Sequence, residues 1–131
     1  SRVNRAYPIK SLLNNSVKVV FGSDTPVADF NPLKGILSAI SRKYQLRSNE
    51  PSWIPEQRIS IEQAVAAYTK DAAFASHEES TKGTLEPGKL ADFVILSEDI
   101  LNSKNPEMDL NQVKVLATVL NGEIVYRNND F

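Results

Sequence analysis

The chain has 131 residues, 41% of them hydrophobic and 24% charged, with a formal net charge of -1. That composition suits one globular domain or a compact pair of half-domains. It offers no dense basic cluster for nucleic acid or an anionic membrane, and no apolar run near the ~20 residues of a membrane span. Without cysteine there is no disulfide or thiolate chemistry, which fits a cytoplasmic setting. With His77 as its one histidine, the chain is not expected to build a zinc site alone, since such sites take three or four ligands, mostly His or Cys.

Val3, Ala6, Tyr7, Leu12 and Leu13, with Pro8 between them, predict a helix over 3–13 that is kinked at Pro8 or starts near it. Arg5 and Lys10 fall on its solvated face. Val17-Lys18-Val19-Val20-Phe21 reads as a short strand, apolar enough to be buried on both faces. It runs into Gly22-Ser23-Asp24-Thr25-Pro26. From these residues alone two readings of Asp24 stand open. It is either a turn aspartate bonding its own backbone or a catalytic carboxylate held at a strand end. Asp29 reads as a loop carboxylate. Asn31 and Pro32 cap and start a helix running to about Tyr44, with Leu33, Ile36, Leu37 and Ile40 as its apolar stripe.

The connection 45–58 holds Pro51, Pro55 and Trp53, the last read as a packing residue. Ser60 caps a second helix, Ile61 to about Ser76, with Gln63 at the capping-box position. Ala64, Val65, Ala67, Tyr68 and Ala72 form its buried side. His77 follows the helix end, where simple exposure or the helix dipole accounts for it. From Thr81 the chain changes character. Phe93-Val94-Ile95-Leu96 is a strand, a polar connection follows, and Asn121-Gly122 between two strand-like runs signals a hairpin. Asp92 reads as a residue that fixes a turn or bonds backbone. The chain thus divides into an α/β part, 1–78, and an all-β part, 79–131.

Three stretches, in order, resemble the C-terminal end of amidohydrolase-superfamily enzymes, the amidohydrolase family 3 type in particular. "SLLNNSVKVVFGSDTPV" is similar to that family's last barrel strand with its Gly-Ser-Asp ending. "ISIEQAVAAYTKDAAFAS" resembles the helix after the barrel. "KGTLEPGKLADFVIL" with "VLATVLNGEIVYR" resembles returning strands of a small β-sandwich. The resemblance implies a C-terminal fragment of a (β/α)8 metal-dependent hydrolase barrel, its last strand and flanking helices, followed by part of the composite β-sandwich.

It further implies hydrolysis of non-peptide C–N (amide) bonds in a small-molecule substrate, with a divalent metal, zinc the expected ion, held mainly by histidines on earlier strands. The position of the family's catalytic aspartate is Asp24. It would contact the metal, take a proton from the bound water and pass it to the leaving amine. Thr25 and Pro26, with Val27, would border the substrate. The family's His-x-His pair and its other ligands are not found in this sequence, so the chain alone is expected to be inactive and metal-free. The rival reading is a non-catalytic α/β interaction module or one subunit of a split enzyme. A metal-free hydrolase using Asp24 with Asp29 is a weaker third. A strand at 17–21 without barrel neighbours wants cover, which predicts self-association or a homo-oligomer.

Overall fold

The computed structural model describes residues 2–43, 51–129 and 131. Tyr44, the expected end of the helix that starts at Pro32, and residues 45–50 of the connection after it lie outside them. Pro8 decides the N-terminal region. A single 3-10 turn, Arg2–Arg5, gives way to helix α1, Ile9–Asn14, with Pro8 at its N-cap. A continuous helix would need the N–H that proline lacks, so the chain breaks there, and Tyr7 takes a positive φ of 50°.

Helix α2, Pro32–Ser41, starts as its sequence asks: Pro32 sits in the first turn, and the Asn31 side chain accepts the Leu33 N–H at 3.0 Å. It stops where Arg42 turns left-handed and returns its N–H to the Ser38 carbonyl at 2.8 Å. Helix α3, Ile61–Tyr68, opens on the expected capping box. Gln63 N–H donates to Ser60 Oγ at 3.2 Å, and Ser60 N–H donates to Gln63 Oε1 at 2.9 Å. The expected continuation to Ser76 is corrected. The helix breaks at Thr69 (φ -119°, ψ -96°), and α4, Lys70–Ala75, starts afresh. The Thr69 hydroxyl donates back to the Val65 carbonyl at 2.8 Å, a bond of the kind that bends helices. Gly83 packs into the bend, where an added Cβ would lie 2.7 Å from that of Ala73.

Strands β1, Phe93–Leu96, β2, Val115–Leu120, and β3, Glu123–Arg127, form one antiparallel sheet in the order β1-β2-β3. Phe93 faces Val119 and Ile95 faces Ala117 across β1 and β2. The hairpin at Asn121-Gly122 is present, with φ of 50° and 81° as a type I′ turn requires. Ile124 pairs with Val119 and Tyr126 with Thr118, so Val125 has no opposite residue and β3 bulges there. The polar connection between β1 and β2 contains a further helix, α5, Pro106–Gln112. Its seven residues are too short for a clear apolar stripe, although Pro106 at the first turn is a start signal.

The expected strand at 17–21 is also corrected: it pairs with no strand among the described residues. A ladder needs a neighbour to take its backbone groups. Here the Phe21 N–H instead reaches the Ala67 carbonyl of α3 at 3.0 Å. The core forms where α2 and α3 meet. Ile36 and Ile40 pack with Ile61 and Ala64, and Ile100 and Leu110 join from the second half of the chain. Burying each such Ile or Leu contributes roughly 1.5–3 kcal/mol. This core is the platform on which the 21–27 segment rests.

Candidate active site

Phe21 is the anchor. Its N–H is tied to α3, and its ring meets Tyr68 edge-on, with centroids 5.4 Å apart. Tyr68 in turn reaches across to α2, where its hydroxyl occupies the place a side chain would fill at residue 35: a Cβ there would lie 2.0 Å from Tyr68 Oη. Only glycine admits that approach. Two helices therefore fix the point from which Gly22, Ser23 and Asp24 emerge.

Asp24 itself takes a positive φ of 52°, a conformation that aspartate tolerates better than most residues. Its carbonyl accepts the Val27 N–H at 2.8 Å, closing the turn, and the Thr25–Pro26 peptide bond is cis. Ser23 and Thr25 share a hydroxyl hydrogen bond of 2.8 Å, and Thr25 Oγ1 donates to the Ala28 carbonyl at 3.3 Å. The turn is thus held by backbone and hydroxyls. The Asp24 carboxylate accepts no hydrogen bond from the described residues, and the residue is exposed, as are Thr25 and Pro26. Val27 and Phe30 stand further out on the same loop, 81% and 80% exposed.

The other singled-out residues lie in different settings. Asp29 accepts the Asn31 N–H at 2.9 Å and is ion-paired with Lys34, and that lysine above all holds its carboxyl below the usual aspartate range. Its bonding capacity is engaged in starting α2, which leaves the pairing of Asp24 with Asp29 without support. His77 is exposed in a left-handed position after α4, its N–H returned to the Phe74 carbonyl at 3.0 Å. Asp92 does bond backbone: its Oδ1 accepts the Asn121 N–H at 2.7 Å. Trp53 packs edge-on to Tyr7 with centroids 6.1 Å apart, and under the Arg42 guanidinium at 4.9 Å. The seat made by Tyr68 and Gly35 escaped the sequence reading. A glycine inside a helix costs about 1 kcal/mol relative to alanine, so Gly35 in the middle of α2 was the available signal.

Among the described residues there is no group of three or more His, Cys, Asp or Glu side chains that could hold a metal ion. Asp24 would bring one ligand and nothing described here brings the rest, so these residues by themselves do not fit a metal centre. No helix among them is long and apolar enough to cross a membrane.

Set beside known proteins, residues 1–126 match the sequence profile of the amidohydrolase family. Protein LONG AFTER FAR-RED 3 of Arabidopsis thaliana is 40% identical over 127 residues, covering 95% of this chain and 20% of that protein. N-substituted formamide deformylase of Arthrobacter pascens is 28% identical over 122 residues, covering 93% of this chain and 22% of the deformylase. Guanine deaminase of E. coli shares the fold, with a TM-score of 0.67 at 21% identity over 97% of this chain and 33% of its own. The chain spans about a fifth of the length of the curated relatives it matches.

Proposed function

The chain belongs to the amidohydrolase family, and on that premise we propose that it serves the hydrolysis of a non-peptide amide C–N bond, contributing Asp24 to a site completed by residues outside these 131. The observation that supports this is the free carboxylate of Asp24, exposed on a turn that α2 and α3 both anchor. A carboxylate so held accepts a proton from water as the water's oxygen attacks the amide carbon. It then returns that proton to the nitrogen, which leaves as an amine while the C–N bond breaks. Thr25 and Pro26 border the substrate in this reading. The hydroxyl of Thr25 is already engaged, so its part is to shape the turn.

The family is generally metal-dependent, and a divalent ion, zinc in our reading, belongs to the completed site. The described residues do not supply its ligands. The same reading assigns 1–78 to the end of a (β/α)8 barrel and 79–131 to a small β-sandwich, in a cytoplasmic protein; the fold likeness to guanine deaminase is in keeping with it.

The test is Asp24→Asn in a protein that joins this segment to the family's metal-binding strands, assayed on N-formyl and N-acyl amines. The expected loss in kcat/KM is about 100- to 10,000-fold. An unchanged kcat/KM would overturn the assignment of Asp24.

Specific observations favour a second reading, in which the chain is covered by another copy or by a partner subunit. Segment 17–21 pairs with no strand among the described residues, Val17 and Val20 are 45% and 46% exposed, and Val27 and Phe30 stand almost bare. Light scattering over a concentration series should show association, and a monomer at every concentration would count against it.

A further inference from the structure

Among the described residues, the loop that carries Asp24 is hydrogen-bonded to the helices only at its ends. On the near side the Phe21 N–H is tied to the Ala67 carbonyl of α3 at 3.0 Å. On the far side Asn31 caps α2 through the Leu33 N–H, and Asp29 is ion-paired with Lys34 of the same helix. Between these moorings the bonds stay inside the loop: Val27 to Asp24, Ser23 with Thr25, and Thr25 to Ala28. A turn closed on itself in this way has no hold of its own on the core. Its place follows from the spacing of α2 and α3.

Tyr68 and Gly35 meet where that spacing matters most. Tyr68 follows the residue that holds Phe21, and Gly35 lies one helical turn beyond the cap at Asn31. A Cβ at 35 would lie 2.0 Å from Tyr68 Oη and 2.9 Å from Cζ. To reach ordinary contact the phenol oxygen would have to move by more than about 1 Å. A cleft of about 170 Å³, lined by Phe21, Gly22, Gly35 and Tyr68 among others, gives the ring room to yield. A chain with the seat filled can therefore still fold. Phe21, edge-on to that ring at 5.4 Å, would be carried along with it.

We infer that Tyr68 and Gly35 are positioning residues for the reaction: their contact sets the spacing of α2 and α3, and with it the place of the Asp24 carboxylate. The inference rests on the role given to Asp24 above, and neither residue touches substrate in it. A proton acceptor displaced by about 1 Å loses on the order of 100-fold in rate. A pair that merely packed would lower stability and leave the rate of each folded molecule alone.

The test uses the completed protein in which Asp24→Asn is assayed, with kcat/KM taken per folded molecule. Gly35→Ala should lower it by about 100-fold. Adding Tyr68→Phe, which removes the oxygen 2.0 Å away, should regain roughly tenfold, as coupled neighbours do. In the isotope-labelled chain of 131 residues, the Gly22 and Asp24 amides should shift in Gly35→Ala and move back in the double variant. Full kcat/KM in Gly35→Ala, or no recovery in the double variant, would overturn the positioning role while a loss in Asp24→Asn still upheld the catalytic one. An unaffected Asp24→Asn would end both. Should Gly35→Ala fail to fold, Tyr68→Leu decides, because it empties the seat, and an undiminished kcat/KM there would sink the inference.

Discussion

Two turns of this chain each set residues at positive φ beside an aspartate, and they use the carboxylate in opposite ways. At Asn121-Gly122 the aspartate is a pin. Asp92 Oδ1 holds the Asn121 N–H at 2.7 Å, and the Ala91 carbonyl holds the Gly122 N–H at 3.1 Å. At 22–27 the aspartate is the left-handed residue itself. The Val27 N–H and the hydroxyls of Ser23 and Thr25 hold that turn, leaving the carboxylate bare. The lesson is that one residue type, beside one turn and inside another, divides by what its lone pairs meet. A carboxylate taken up by backbone N–H groups serves the fold, and one left open is available for proton transfer.

The sharpest way to break the contrast is to exchange the outcomes. In a protein that completes the proposed site, Asp24→Asn should lower kcat/KM by about 100- to 10,000-fold while leaving the thermal midpoint in place, and a lowered midpoint would show that the carboxylate holds the turn after all. The common platform is probed by Ile36→Ala, at a residue 4% exposed. Urea unfolding should read a loss of about 2–5 kcal/mol. Asp92→Ala should cost about 1–3 kcal/mol and speed hydrogen exchange at the Asn121 amide, with Asp92→Asn close to neutral because it keeps an acceptor oxygen.

The smallest effect lies at the start of α3, where Ser60→Ala should cost about 1 kcal/mol. The Ser60 hydroxyl, with backbone hydrogen bonding behind it, holds the Glu62 carboxyl below its ordinary range. Because that folded value is depressed, the contribution of Glu62 is present above its unfolded value and fades as pH falls through the folded one. Carboxyl NMR should find the Glu62 midpoint moving up in Ser60→Ala, and an unmoved midpoint would remove the hydroxyl as its cause.

Elements specified by local chemistry were legible in the sequence. The Ser60–Gln63 box, the Asn31–Pro32 start and the Asn121-Gly122 hairpin all follow from residues a few positions apart or from a turn type, whereas Asp92 bonds the Asn121 N–H from 29 residues away. Elements that depend on distant partners were not. Segment 17–21 has the composition of a buried strand, but a strand exists only when a neighbour takes its backbone groups, and here α3 takes one of them. Gly83 packs into the bend at Thr69 from a later loop, and the seat beneath Asp24 needs Tyr68 of one helix to meet Gly35 of another. Periodicity cannot announce such meetings. The position of Asp24 in the chain was readable, whereas the bareness of its carboxylate required the bonds around it.

The bulge at Val125 bears on how far the sheet can grow. β3 is an outer strand, and Ile124, Val125 and Tyr126 are each about half exposed, at 52%, 59% and 48%. A run of that kind, laid straight, would template the addition of strand after strand from other molecules. The extra residue throws the outward N–H and C=O groups out of even spacing and twists the rim, so an incoming strand finds no continuous ladder to copy. Fibrous growth is thereby discouraged at this end by geometry, with the apolar side chains left in view.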